Sequence, residues 1–145
     1  AEELREKIEK LQGEHNNLKG RYYEQEVMLK LIRDIIAGGR GIVEGIDVTD
    51  FVPVIAYHLP SGEEIDVLVE GKETVIMAQC KNYLPRYLNK ITEKTVDEFI
   101  EKAVRLHNDR FSAKELRLAF FSKHGFESKL QSYLEEKGIV TTLEG

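Results

Sequence analysis

The feature that most limits what this chain can fold into is a change of hydrophobic rhythm part-way along it. From Leu4 to Ile35 apolar side chains return every three or four residues, the repeat of a helix; at "AGGRG", residues 37 to 41, that repeat stops, and afterwards apolar residues tend to alternate. A long amphipathic helix followed by strands can bury both apolar faces by lying on a sheet, so a layered α/β domain is expected. With 145 residues, 41% of them hydrophobic, there is material for one compact core.

The helical part has two sections. Leu4, Ile8, Leu11, His15, Leu18 and Tyr22 alternate at spacings of four and three, a heptad seam of about three repeats. Such a seam suits a parallel coiled-coil dimer, or a single helix packed on its own domain; His15 and Gly13 weaken an isolated pair. A second stripe, Val27, Met28, Leu31 and Ile35, ends where Gly38 and Gly39 can adopt the left-handed backbone that closes helices. Residues 1–20 are therefore read as a heptad-patterned helix and 21–145 as the folded domain. Because the chain opens on Ala in mid-pattern, it is expected to be part of something longer.

Four strand-like runs follow: "GIVEGIDV", "FVPVIAYHL", "EEIDVLV" and "TVIMAQCK", separated by turn-forming residues, with one of the first two reducible to loop. "TVDE" at Thr95 to Glu98 fits a capping box, predicting a helix that buries Phe99, Ile100, Ala103 and Val104. "LRLAFF" reads as a strand, "FESKLQSYLEEK" as a helix closed by Gly138, and "IVTTL" as a last strand. The expected order is α-β-β-β-α-β-α-β, a mixed sheet flanked by helices.

Several classes of function are disfavoured. A formal net charge of −5 argues against nucleic-acid binding by bulk charge, so a polyanion would need a local basic strip. One cysteine makes no internal disulfide, and four scattered histidines make no zinc pattern. No apolar run is long enough to cross a bilayer, and no secretory leader is evident at the start. A cytoplasmic protein with no membrane partner is expected.

Chemistry is suggested by "VIMAQCKNY", residues 75 to 83, a run apolar enough for a buried strand that ends in Gln79 and Lys81. Alternation puts Gln79 and Lys81 on the face of Val75 and Met77, and Ala78 and Cys80 on the other. In the strand before it, Asp66 shares a face with Glu64 and Leu68 and lies between Ile65 and Val67. The short connection makes the two strands antiparallel neighbours, so Asp66 can stand beside Gln79 and Lys81. On the first helix Glu24 falls within about 20° of Leu31, on the apolar stripe, where a carboxylate needs a partner. If the four converge, two carboxylates balance a divalent cation, Lys81 balances a phosphate, and Gln79 adds a neutral ligand or donor.

These residues carry a resemblance. "GRYYEQEV" on a helix, then "EIDVLVEGKETVIMAQCKNY", resembles the PD-(D/E)XK nuclease superfamily, and "AQCKNY" is particularly similar to the Mrr-like restriction endonucleases. The likeness runs from about Arg21 to the end and takes in "AFFSKHGFESKLQSYLEEKGI"; the heptad segment lies outside it. It implies a restriction-endonuclease-like fold and a metal-dependent endonuclease that hydrolyses DNA phosphodiester bonds. Carried over by position, the catalytic set is Glu24, Asp66, Gln79 and Lys81, with Mg²⁺, replaceable by Mn²⁺, held by Asp66, the Cys80 carbonyl and Glu24 through water. Lys81 would position the attacking water or stabilise charge on the phosphate. Two departures stand out: Asp66 follows Ile where the family name has Pro, and Gln79 replaces the third-strand acid, which leaves an inactive relative as an alternative. Glu26 is the substitute for Glu24, Asp47 a distant rival to Asp66, and Glu64 an auxiliary ligand.

Beyond this set, Arg86, Lys90 and Lys94 recur every four residues in "KNYLPRYLNKITEK", interleaved with Tyr83 and Tyr87. In a helix they would make a basic stripe for DNA phosphates. His124, in the turn after "AFFS", is a further backbone contact. The heptad segment could pair two copies, giving a cut on each strand; a further alternative is a coiled-coil interaction protein in which the globular part is a passive cap.

Overall fold

The computed structural model describes residues 2–143, excepting the side chains of residues 13 and 15–17, so His15 of the heptad seam lies outside the described residues. The helical stripes merge into one 35-residue helix, α1 (Glu2–Ile36), and the boundary drawn after residue 20 falls inside it. Val27, Met28, Leu31 and Ile35 are buried, whereas Leu4, Ile8, Leu11 and Leu18 stay exposed. The helix ends at Gly38 and Gly39, whose φ angles of 118° and 67° are strained for any residue with a Cβ.

Four strands follow, β1 (Val52–His58), β2 (Glu64–Glu70), β3 (Thr74–Lys81) and β4 (Glu115–Ser122), in the sheet order β1-β2-β3-β4. The first three form an antiparallel meander; β4 lies parallel to β3. That crossover is made by α2 (Glu93–Arg110), and α3 (Ser128–Glu136) follows β4. One core packs α1 against Val67, Val69, Ile76, Ala78, Ala119 and Phe121. The other packs Val96, Phe99, Ala103 and Leu106 of α2 with Leu130 and Leu134 of α3 against Leu68, Val75, Met77 and Phe120. β3, apolar on both faces, is the middle of this sandwich, so it reads as an unbroken apolar run.

Of the first two strand-like runs, "GIVEGIDV" is the one that reduces to loop: it starts with a 3-10 turn at Gly41–Val43 that sends Ile42, Val43 and Ile46 into the α1 core. Three local expectations change. "IVTTL" contributes one parallel bridge, Ala119 to Val140. The cap of α2 is Thr92, not Thr95: the Thr92 hydroxyl accepts from the Thr95 N–H, and the Thr95 hydroxyl accepts from the Thr92 N–H in return. Starting the helix at Glu93 makes Val96, Phe99, Ala103 and Leu106 its inner face, leaving Val104 exposed and Ile100 half-buried.

The alternation of β1 and β2 slips at one level. Val54 and Tyr57, three residues apart, both pack on the α2 side, with Ile55 between them on the α1 side. In β2, Ile65 and Leu68 likewise share the α2 side, while Val67 faces α1. The cause lies at Ala56, which has φ of +56° and would stand opposite Asp66 in a register running from Ile55↔Val67 to Tyr57↔Ile65. An alanine in the left-handed region costs about 1 to 2 kcal/mol, so this kink is imposed by its surroundings. Ile65 and Val67 therefore do not share a face, contrary to strict alternation.

Candidate functional site

The β2–β3 pairing ends at Val67↔Ala78. Beyond it β2 stays with β1, through Tyr57↔Ile65 and His58↔Glu64, while β3 stays with β4, through Gln79↔Phe120, Cys80↔Phe121 and Lys81↔Ser122. The sheet thus forks, and Asp66 sits at the fork. Its Oδ2 accepts the Cys80 backbone N–H at 2.9 Å, standing in for a β2 carbonyl. A residue in a strand directs its N–H and C=O to the same side, so the Cys80 carbonyl also points towards the fork.

A cavity of about 790 Å³ opens there, walled among others by Glu24, Asp66, Gln79, Cys80 and Lys81. Glu24, Asp66, Gln79 and Lys81, from three segments, thus line one cavity. Glu24 is 9% exposed and is held by Arg21, whose Nη1 donates to its Oε2 at 3.0 Å. Burial, then repulsion from Asp66, pushes the Glu24 carboxyl up to about 7, against a smaller opposing pull from Arg21. Burial also raises Asp66, with the Cys80 N–H, Lys102 and Lys81 working against it. Lys81 is half-buried, its Nζ 5.9 Å from the centre of the Tyr83 ring. No carboxylate lies within 4.0 Å of that ammonium among the described residues, so its charge is left for a ligand.

Three buried side-chain atoms lack a hydrogen-bond partner among the described residues: Gln79 Oε1, Asn82 Oδ1 and Ser122 Oγ. All three lie at the carboxyl ends of β3 and β4 or one residue beyond. Buried polar atoms are normally satisfied, so a ligand or ordered water reaching this end of the sheet would find acceptors to engage. It is also the crevice beyond the ends of parallel strands where α/β sheets commonly take ligands.

A divalent cation fits the donors present. The carboxylates of Glu24 and Asp66 are raised by burial, Glu24 further by repulsion from Asp66, while Gln79 offers an unused oxygen and Cys80 a carbonyl on the right side. A set composed only of oxygens suits Mg²⁺ or Mn²⁺ better than a softer metal. Among the described residues no three His, Cys, Asp or Glu side chains gather into a metal group, so a cation here would need neutral oxygens besides the two carboxylates. The Cys80 thiol packs against the α1 core and burial holds it protonated, leaving its backbone as its contribution.

The other anticipated residues scatter. Tyr83 and Lys90 line the cavity, together with Tyr87, Lys19 and Arg21. The segment Pro85–Lys90 is a 3-10 helix, so the basic stripe is not continuous; Arg86 and Lys90 lie over the Tyr87 ring at 4.9 and 4.8 Å instead. Lys94 is on α2, 3.9 Å from Glu98, and His124 is exposed in the turn after β4; neither is a wall of the cavity. Glu26, the substitute for Glu24, pairs with Lys123 at 2.9 Å, and Asp47 binds Thr49 in an exposed turn.

Sequence reasoning missed Asn82, Ser122 and Lys102. Lys102 lies on α2 beside the buried Ala103, and burial holds its ammonium below the ordinary lysine range, with Asp66 its foremost opposing charge. A lysine three residues after Phe99, on the margin of an apolar stripe, is the signal that could have found it. No helix among the described residues is long and apolar enough to cross a membrane. No protein-family model, no curated protein and no solved structure matches the chain.

Proposed function

We propose that the fork is the active site of a metal-dependent DNA endonuclease of the PD-(D/E)XK type, resembling the Mrr-like enzymes. The observation that carries this reading is the convergence of Glu24, Asp66, Gln79 and Lys81 on one cavity at the point where β2 and β3 part. The order α-β-β-β-α-β, with the last strand parallel to the third, supports a restriction-endonuclease-like fold.

Asp66, Glu24 and the Cys80 carbonyl would hold Mg²⁺, with Gln79 as a neutral donor. When bound, the ion supplies Lewis-acid activation of the phosphate and of a water. The Cys80 N–H fixes one Asp66 oxygen and leaves the other free to serve the ion. Glu24 orients the water that reaches it, and Arg21 fixes Glu24 in turn. Lys81, unpaired and steadied against Tyr83, places a positive charge where the pentacovalent phosphate gains negative charge. Lys19, Arg21 and Lys90 on the cavity wall meet the flanking phosphates.

The test is supercoiled plasmid incubated with and without Mg²⁺, for wild type and Lys81→Ala. Magnesium-dependent nicking by wild type, reduced at least about a hundredfold in the variant, is expected for a charge aimed at the transition state. Equal nicking by both proteins removes the assignment. A second reading, a DNA-binding module that retains the fold without turnover, is favoured by the amide at Gln79, which leaves two carboxylates at the site. It predicts DNA gel shifts indifferent to Mg²⁺ and no product.

A further inference from the structure

A second cavity, of about 390 Å³, adjoins the first and is lined by Leu18, Lys19, Tyr22, Tyr23, Glu26, Asn82 and Lys123. Lys19 and Asn82 are walls of both. It is tied to the candidate catalytic strand through the backbone, since the Lys123 N–H donates to the Lys81 carbonyl at 3.0 Å. Its walls are set by mutual contacts: Lys123 Nζ lies 5.7 Å from the centre of the Tyr23 ring and is held by both oxygens of Glu26, at 2.9 and 3.1 Å. Asn82 brings a buried carboxamide oxygen without a partner.

We propose that this side cavity receives the base of an unpaired nucleotide next to the scissile phosphate, making single-stranded or frayed DNA the preferred substrate. This rests on the reading of the fork as a phosphodiester site and names its substrate class. Two tyrosines and a leucine supply flat and apolar walls for a ring, and their size suits one base with part of its sugar. The amide of Asn82 and the carboxylate of Glu26 can hydrogen-bond the base edge, which is accessible once the base is unpaired. Lys19, common to both cavities, stands where the phosphate between two neighbouring nucleotides must pass. A base inside a duplex is stacked on both sides and paired on its edge, so it can enter only after leaving the helix.

The experiment measures binding of the full chain, by fluorescence anisotropy in Mg²⁺-free buffer, to a labelled single-stranded oligonucleotide and to its duplex. The variants are Tyr22→Ala and Tyr22→Phe; Tyr22 is 60% exposed, so neither substitution threatens the core. Tighter binding of the single strand by wild type is expected. Tyr22→Ala should lose about 5- to 100-fold of that affinity, the contribution of one stacked base, with duplex binding unchanged and Tyr22→Phe like wild type. Equal loss on both substrates, or no loss on either, overturns the proposal whatever the plasmid assay gives. Selective loss on the single strand supports it even if no cleavage is found, in which case only the nuclease reading falls.

Discussion

Replacing Glu24 by Gln should stabilise the metal-free protein at neutral and alkaline pH, and the gain should vanish in acid. Glu24 is nearly buried and its carboxyl titrates at about 7, against 4.5 for an unperturbed glutamate. Between those values the folded chain holds a proton that the unfolded chain has released, so stability contributed through this group falls as pH rises. Below 4.5 both states are protonated and the penalty is absent; above 7 both are ionised and it is complete. At about 1.4 kcal/mol per pH unit, the displacement amounts to about 3 kcal/mol. The variant carries no ionisable group there and escapes it. Asp66, also raised, acts in the same direction in both proteins, and its repulsion with Glu24 goes when the Glu24 charge goes, so the difference between their curves reads Glu24 together with its coupling to Asp66. Urea denaturation in EDTA, from about pH 4.5 to 8.5, reads this difference, which should open from near zero to about 3 kcal/mol. Saturating Mg²⁺ should then recover about 2.7 kcal/mol for the wild type at a hundred times its Kd, and less for the variant. A difference that does not change with pH would refute the claim that burial and a neighbouring carboxylate hold Glu24 protonated.

Two further outcomes are expected. Ala56→Gly should raise stability by about 0.5 to 1 kcal/mol in urea denaturation, because glycine adopts a positive φ without the Cβ clash, while Ala56→Val should lose more than about 1 kcal/mol; a valine variant as stable as wild type would mean the kink costs nothing. The exposed seam of Leu4, Ile8 and Leu11, short of the Leu18 that walls the side cavity, should pair two copies in solution, so sedimentation should give a dimer for wild type and a monomer for Leu11→Lys, with thermal unfolding of the sheet unaltered; a wild-type monomer at about 100 µM would remove the coiled-coil reading.

The fold was legible wherever burial sets the pattern. The second half of α1 and all of α2 announce themselves by apolar stripes, and β3 by its unbroken apolar run, because each packs against the rest of the domain. Local pattern was not decisive where it and tertiary demand part company. "GIVEGIDV" alternates like a strand, yet Ile42, Val43 and Ile46 reach the core from a 3-10 turn and the loop after it, a geometry alternation alone cannot separate from a strand. The start of α2 moved by three residues because either threonine of a Thr-x-x-Thr pair can serve as the cap, and the choice depends on which helix face must be buried. At the site, Glu24 and Lys81 were visible as charges where apolar residues belong. Asn82 and Ser122 were not, since small polar residues at strand ends are unremarkable until the structure shows their atoms buried and unpartnered.

The placement of Asp66 could not be obtained from alternation at all, and it explains why the fork costs stability. Strict alternation would send its carboxylate to the Leu68 face; the left-handed Ala56 at the facing position shifts the side-chain order by one, and the carboxylate lies instead against the backbone of β3. There it satisfies the Cys80 N–H that β2 would have satisfied, so the sheet can end its pairing early without leaving that donor bare. The consequence is a cavity whose walls include two carboxyls that burial keeps from ionising readily and two residues, Gln79 and Asn82, that each carry a buried oxygen with no partner, while the strained Ala56 faces Asp66 from β1. None of these stabilises the empty protein, yet they lie together in a fold otherwise satisfied by two apolar cores. On the proposed reading a cation entering between β2 and β3 would neutralise the carboxylates and take up the Gln79 oxygen, and an anionic ligand would engage Lys81; the strain at Ala56 would stay.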